Sequence, residues 1–165
     1  MSLHRDLPLL PLTDPSDPDD WRPNSSWALV ADRDADVAVI VEHIGVGDAI
    51  PLHRHEIDEV IFYLCGEAEV RVGEETYNVR GGDIVVIPAG NVHGTRNTGQ
   101  EMVELRAIFP CARIDIQYVE RNPAPGTVGD PPRPGVVWDT HTGAVEPVEP
   151  VDSPSDPSAP PAAVG

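Results

Sequence analysis

An all-β sandwich or barrel is the fold this sequence predicts, and three observations point to it. Between Trp27 and Tyr118, short runs rich in valine and isoleucine follow one another, separated by turns that carry glycine. No helical apolar period links those runs, so helices between them are not expected. Prolines crowd both ends of the chain and nearly vanish from this middle stretch, where a β ladder needs backbone N–H groups.

Taken in order, residues 1 to 26 form an arm rich in Pro and Asp, for which extended, unpaired backbone is expected. Trp21 and Trp27 interrupt it and should dock, either on the arm's own barrel or on a neighbouring subunit. The strand runs are then Trp27 to Ala31, Val37 to Ile44, Val60 to Leu64, Ala68 to Val72, Thr76 to Val79, Ile84 to Ile87, Val103 to Phe109 and Ile114 to Val119. Turns fall at Gly45 to Asp48, Gly73 to Glu75, Gly81 to Asp83 and Asn97 to Gln100. This places one domain at residues 27 to 121, followed by a Pro-rich, largely disordered tail from 122 to 165. Within that tail, Gly135 to Val148, with Val136, Val137 and Trp138, is the part able to adhere to the domain. Val151 to Gly165 carries too little apolar bulk to offset its ordering entropy.

Composition bounds the function. The chain has 165 residues, a formal net charge of -17 and no lysine. Such a surface repels a nucleic-acid duplex and an anionic membrane, so neither is an expected partner. No stretch approaches the roughly 20 apolar residues needed to span a bilayer. Cys65 and Cys111 are the two cysteines, and no apolar run of signal-peptide type stands at the start, so a cytoplasmic protein with free thiols is expected.

Two short blocks carry the chemistry. The first reads Gly47-x5-His53-x-His55-x3-Glu59-x6-Gly66 and the second Gly82-x5-Pro88-x-Gly90-x2-His93-x3-Asn97. On a strand, the His53/His55 spacing points both imidazoles to one face, and Glu59 keeps the same parity. His93 would complete the set from a distant piece of chain, so that folding and metal binding assist each other. Three imidazoles and one carboxylate suit Fe, Mn, Ni, Cu or Zn rather than a hard Mg ion, and leave about two octahedral positions open.

Both blocks, with their flanking glycines, Pro88 and Asn97, resemble the two signature motifs of the cupin superfamily, over roughly residues 37 to 110. The resemblance implies a single jelly-roll cupin barrel with extended N- and C-terminal segments. It also implies that His53, His55, Glu59 and His93 ligate one divalent transition metal inside that barrel, iron first, with Mn, Ni, Zn or Cu as alternatives. Gly47, Gly66, Gly82 and Gly90 are expected in turns, and Asn97 belongs to the scaffold.

Strand parity places the remaining residues. Tyr63 shares the face of Glu59 at about 13 Å along the strand, in reach of a substrate but not of the metal. Glu59 and Tyr63 are therefore the candidate catalytic residues, Glu59 as a base. The expected lining is Leu52, Ile61, Tyr63, Val72 and Val85 or Val86. His43 lies on the Val37, Val39, Val41 face and is a candidate inward group or an ordinary strand histidine. Cys65 is expected to be a buried inert thiol, while Arg54 and Arg96 should face outward.

The resemblance implies a metal-dependent enzyme acting on a small, uncharged or carboxylated organic molecule, with a non-haem dioxygenase as the first reading. A non-redox metal-dependent isomerase, lyase or cyclase is the second, and a non-catalytic small-molecule-binding cupin the third. Pairing of barrels through their sheets implies a homodimer, with Trp21, Trp27 and Trp138 supplying exchanged contacts.

Overall fold

The computed structural model describes residues 2–11, 21–122, 132 and 134–148. The expected disorder of 151 to 165 and the central part of the N-terminal arm lie outside these residues. Among the described residues there are strands and no helix, arranged as two facing antiparallel sheets, a jelly-roll all-β fold. The strands are β1 (Leu10–Pro11), β2 (Ser26–Ala31), β3 (Ala38–Ile44), β4 (Ala49–Arg54), β5 (Glu59–Cys65), β6 (Glu67–Val72), β7 (Glu75–Arg80), β8 (Ile84–Ile87), β9 (His93–Asn97), β10 (Val103–Phe109), β11 (Arg113–Tyr118), β12 (Gly135–Asp139) and β13 (Ala144–Val148). One sheet has the order β1-β2-β3-β10-β5-β8 and the other β13-β12-β11-β4-β9-β6-β7.

The core lies between the sheets and follows from strict alternation. In β10, Val103, Leu105, Ala107 and Phe109 point inward while Glu104, Arg106 and Ile108 alternate with them on the outer side. They meet Ile40, Ile44, Ile61, Val70, Ile87 and Ile114, all buried. Each such aliphatic side chain contributes about 1.5–3 kcal/mol on leaving water.

Two strands depart from the Val/Ile-rich runs. β4 carries Pro51 in its middle and β9 is polar, yet they pair, with a register shift after Ile50 that sets His53 opposite His93. Between His55 and Glu59 the chain turns and crosses to the other sheet, so Glu59 opens β5 and does not share a strand with the histidines. Shared parity is therefore not what brings it to them. The motif glycines Gly47, Gly66, Gly82 and Gly90 take φ of 82, 80, 99 and 81°. At Gly90 this conformation turns the chain so that its N–H donates to the His55 carbonyl at 2.7 Å, tying the second block to the first. Asn97 stitches the scaffold, its amide donating to the Ile44 and Glu101 carbonyls, both at 2.8 Å.

Described parts of both end segments join the sheets. Leu10 and Pro11 pair with Trp27 and Ser26, so the arm is not wholly unpaired. Residues 135–148 form the β12–β13 hairpin, which adds to β11 with Ile114 opposite Trp138. That register carries Trp138 across to Trp27, and the two rings stack with centroids 5.5 Å apart. Trp27 and Trp138 thus satisfy each other within one chain, while Trp21 stays 41% exposed. Cys65 is also exposed at its strand end, where the expectation was burial, because β5 runs out of the core there.

Candidate metal centre

His53 lies next to the end of β4, His55 follows the strand in the turn, Glu59 starts β5 and His93 starts β9, so two sheets deliver four side chains to one point. All four are buried, and one ligating atom from each lies within 4.8 Å of all the others. The ring centroids are separated by 4.3 Å (His53 to His93), 4.9 Å (His53 to His55) and 5.3 Å (His55 to His93).

The outer nitrogen of each ring decides what the inner one offers. Nδ1 of His53 lies 2.8 Å from the Pro51 carbonyl, Nδ1 of His93 lies 2.9 Å from the Asn91 carbonyl, and Nδ1 of His55 meets the Asp115 carbonyl. A carbonyl can only accept, so each Nδ1 carries a proton and each Nε2 is left to present its lone pair inward. This is the arrangement that fixes tautomer and ring orientation in metal-ligating histidines. The Asp115 carboxylate additionally accepts the Glu56 N–H at 2.9 and 3.0 Å, holding the turn from which His55 projects.

Glu59 Oε2 sits 2.7 Å from His93 Nε2 and 3.6 Å from His55 Nε2. Despite the short separation, Glu59 Oε2 and the Nε2 atoms of His55 and His93 are buried without a hydrogen bond of proper geometry. Polar atoms are rarely left so in a protein interior, and a bound cation accounts for all three at once. The donor set therefore fits a divalent transition ion, held by His53, His55, Glu59 and His93.

Electrostatics favour two ready ligands and one guarded one. Burial pushes the His53 imidazole well below the ordinary histidine pKa, with its two neighbouring rings adding to the effect. Burial also lowers His55, only partly opposed by the Glu59 charge. For His93, burial pulls the same way but is outweighed by the contact with Glu59, so its pKa is raised.

The centre opens into a cavity of about 370 Å³. Its walls are mainly apolar, from Ile40, Ile50, Ile61, Leu105, Phe109 and Ile116, with Phe109 edge-on to His55 at 5.0 Å. Of the expected lining only Ile61 is on the wall. Leu52 alternates with His53 and faces an outer groove instead, and Val86 is 64% exposed. Tyr63 is buried behind the wall, where its hydroxyl lies 2.8 Å from Thr95 Oγ1, and Thr95 itself lines the cavity. Burial raises the Tyr63 phenol far above its usual range. His43 lies on the outer face of β3, 3.8 Å from Glu104, whereas its neighbour Glu42 reaches the cavity.

Three residues of this region escape a reading by spacing: Arg22, Glu42 and Asp115. Glu42 had a signal, a lone acid in an otherwise apolar run, and Asp115 a weaker one, an acid between Ile114 and Ile116. Arg22 had none, because nothing in the arm's composition tells where it folds. Replacing Asp115 with Ala should lower metal affinity by about tenfold, since the support for the His55 turn is lost. A chelator-competition titration with Mn(II) checks this, and Tyr63→Phe in the same assay should change nothing measurable.

A two-sheet barrel with three inward imidazoles and a carboxylate at its mouth defines a metal-site β-barrel protein. The cupin-domain family profile matches residues 40–109. An uncharacterized protein of Streptomyces coelicolor is 30% identical over 78 residues, covering 47% of this chain and 74% of that protein. The chain belongs to the cupin family. Among solved structures, the Cnp3 cupin domain of Schizosaccharomyces pombe aligns with a TM-score of 0.50 and 21% identity, over 53% of this chain and 65% of that one. Oxalate decarboxylase of Bacillus subtilis, with its Mn(II) centres, gives 0.51 and 21% over 53% of this chain and 26% of its own. The formate complex of the Lactobacillus farciminis enzyme gives 0.51 and 22% over 53% and 29%. The chain thus spans just under two thirds of the first structure and under a third of the decarboxylases, and at these identities the likeness concerns the fold. Among the described residues no helix is long and apolar enough to cross a membrane.

Proposed function

We propose that the protein is a metal-dependent enzyme acting on a small organic molecule in the barrel, and that it is a non-haem dioxygenase. The observation that supports this reading is the convergence of three Nδ1-anchored imidazoles and Glu59 on one point beside an apolar cavity. When bound, a divalent transition ion would supply Lewis-acid or one-electron chemistry there. The chain's own part is to hold the substrate against Ile40, Ile61, Leu105 and Phe109, to keep bulk water off it, and to offer a carboxylate at Glu59 that can take a proton. Thr95, oriented by Tyr63, provides a neutral hydroxyl on the same wall. The test is oxygen uptake by iron-loaded protein across phenols, thiols, diketones and carboxylates. Uptake that depends on one of these supports the reading, and no uptake with any of them removes it.

The second reading, a non-redox lyase or isomerase, draws on the manganese centres of the structurally similar oxalate decarboxylase. Turnover with Mn(II) or Zn(II) under strict anaerobiosis would favour it over the first.

We also infer a homodimer formed through the outer face of the β3-β10-β5-β8 region. Leu64, Ile84 and Val86 stand there at 49, 56 and 64% exposure, an apolar group on an edge of the sheet. The Ile84→Asp, Val86→Asp double variant should run as a monomer by light scattering if this face pairs. A monomeric parent protein would remove the inference.

A further inference from the structure

Away from the ligands the cavity wall is mainly apolar, and its charged side chains are Arg22 and Glu42, which enter it together. Arg22 is 4% exposed, and one of its terminal nitrogens lies 3.6 Å from Glu42 Oε1, an ion pair longer than a hydrogen bond. Burying a pair of opposite charges seldom stabilises a protein more than well-packed hydrophobes would. A few placed polar groups in an apolar pocket instead orient a ligand.

The arm is built to hold Arg22 still. Its carbonyl accepts the Ser25 N–H at 3.1 Å, closing a turn. Asp48 fastens that turn by accepting the Asn24 N–H at 2.8 Å and the Ser25 hydroxyl at 2.7 Å. Gly45 lies directly beneath, and a Cβ there would come within 2.2 Å of the Asn24 Cβ, so only glycine lets the turn seat. Just before Arg22, the Trp21 N–H donates to the Asn122 carbonyl at 2.9 Å. A guanidinium fixed in this way is preorganised, and less entropy is lost when it grips a ligand.

We propose that Arg22 is the specificity-determining residue of the cavity and that it selects a substrate bearing one carboxylate, which its planar fork binds while the rest of the molecule lies against the apolar wall beside the His53, His55, Glu59 and His93 set. A guanidinium matches a carboxylate with two parallel N–H···O bonds. The Glu42 carboxylate beside the fork opposes a second negative charge on the ligand, which limits it to a monoanion and excludes phosphate esters. The proposal rests on the metal-site reading for the placement of the substrate but not for the preference of Arg22 itself.

The experiment is calorimetric titration of the full chain, metal-free and Mn(II)-loaded, with benzoate and hexanoate, each paired with its neutral amide. Manganese content is measured separately, so that failure of the metal site and failure of Arg22 are read apart. The acids should bind about tenfold or more tighter than the amides. Arg22→Met should erase that preference while leaving amide affinity within about threefold. Glu42→Gln, which keeps the guanidinium and removes its competing anion, should tighten acid binding. Equal binding of acid and amide by the parent protein, or a preference that survives Arg22→Met, overturns the proposal. Should Arg22→Met not fold, the Glu42→Gln arm decides, because unchanged or weaker acid binding there overturns it as well.

Discussion

Replacing His93 with Ala should abolish stoichiometric metal binding, lowering Mn(II) or Fe(II) affinity by a factor on the order of 100 or more. His93 has the shortest contact with Glu59, 2.7 Å from Nε2 to Oε2, and it stands in register opposite His53, so its loss takes away one donor and the neighbour that positions two others. The effect on the metal-free protein is separate. Glu59 is 4% exposed, and removing one partner of a buried ion pair costs about 3–5 kcal/mol. His93→Ala should therefore unfold earlier than the parent even when both are stripped of metal. Elemental analysis gives the first effect and denaturant melts of chelator-treated protein give the second. Full metal occupancy in the variant would contradict the four-ligand assignment, while an unchanged melt would contradict the pairing with Glu59.

Most of this centre was legible before any coordinates, but for reasons that differ from residue to residue. The motif spacing names His53, His55, Glu59 and His93 correctly as a group that meets. The argument from strand parity succeeds for the first two, and for Glu59 it reaches the right residue by the wrong route. That carboxylate arrives because the chain turns after His55 and crosses to the facing sheet. The same confusion spoils the predicted lining. Leu52 sits beside His53 in sequence, and the pleat sends adjacent side chains to opposite faces, so nearness to a ligand in sequence meant distance from the cavity. β9 was missing from the valine-rich runs because its inner face carries His93, Thr95 and Asn97, and β4 because Pro51 interrupts its apolar residues. The placement of Arg22 depends on a turn fastened to Asp48, 26 positions away in sequence, and on the space beneath it at Gly45. A contact of that range leaves no periodic trace in a single sequence.

Acid should strip the metal with a proton count of about one per ion near pH 6, where three coordinating histidines would suggest three. The ordinary imidazole pKa is about 6.5. Burial, reinforced by neighbouring rings, holds His53 far below that value, and burial outweighing the Glu59 charge holds His55 below it, so both are already neutral when an ion arrives. His93 is raised against the pull of burial by its contact with Glu59, so it is the ring that must give up a proton. A plot of log affinity against pH should then rise with a slope of about one just below pH 6.5 and steepen further into acid. Folding stability of the metal-free protein follows from the same shifts with opposite signs. His53 and His55, depressed in the folded state, contribute stability that is full above about pH 6.5 and is lost as pH falls through their folded values. His93, raised, contributes stability that is full below about pH 6.5 and is lost as pH climbs through its folded value. Below pH 6.5 only His53 and His55 change their contribution, so the metal-free protein should melt at lower denaturant as pH falls from 6.5, while His93→Gln should remove the stability that is lost as pH climbs above 6.5. A proton release of three per ion at pH 6, measured by titration in buffers of different ionisation enthalpy, would show that all three rings are protonated in the resting protein and that burial does not set their state.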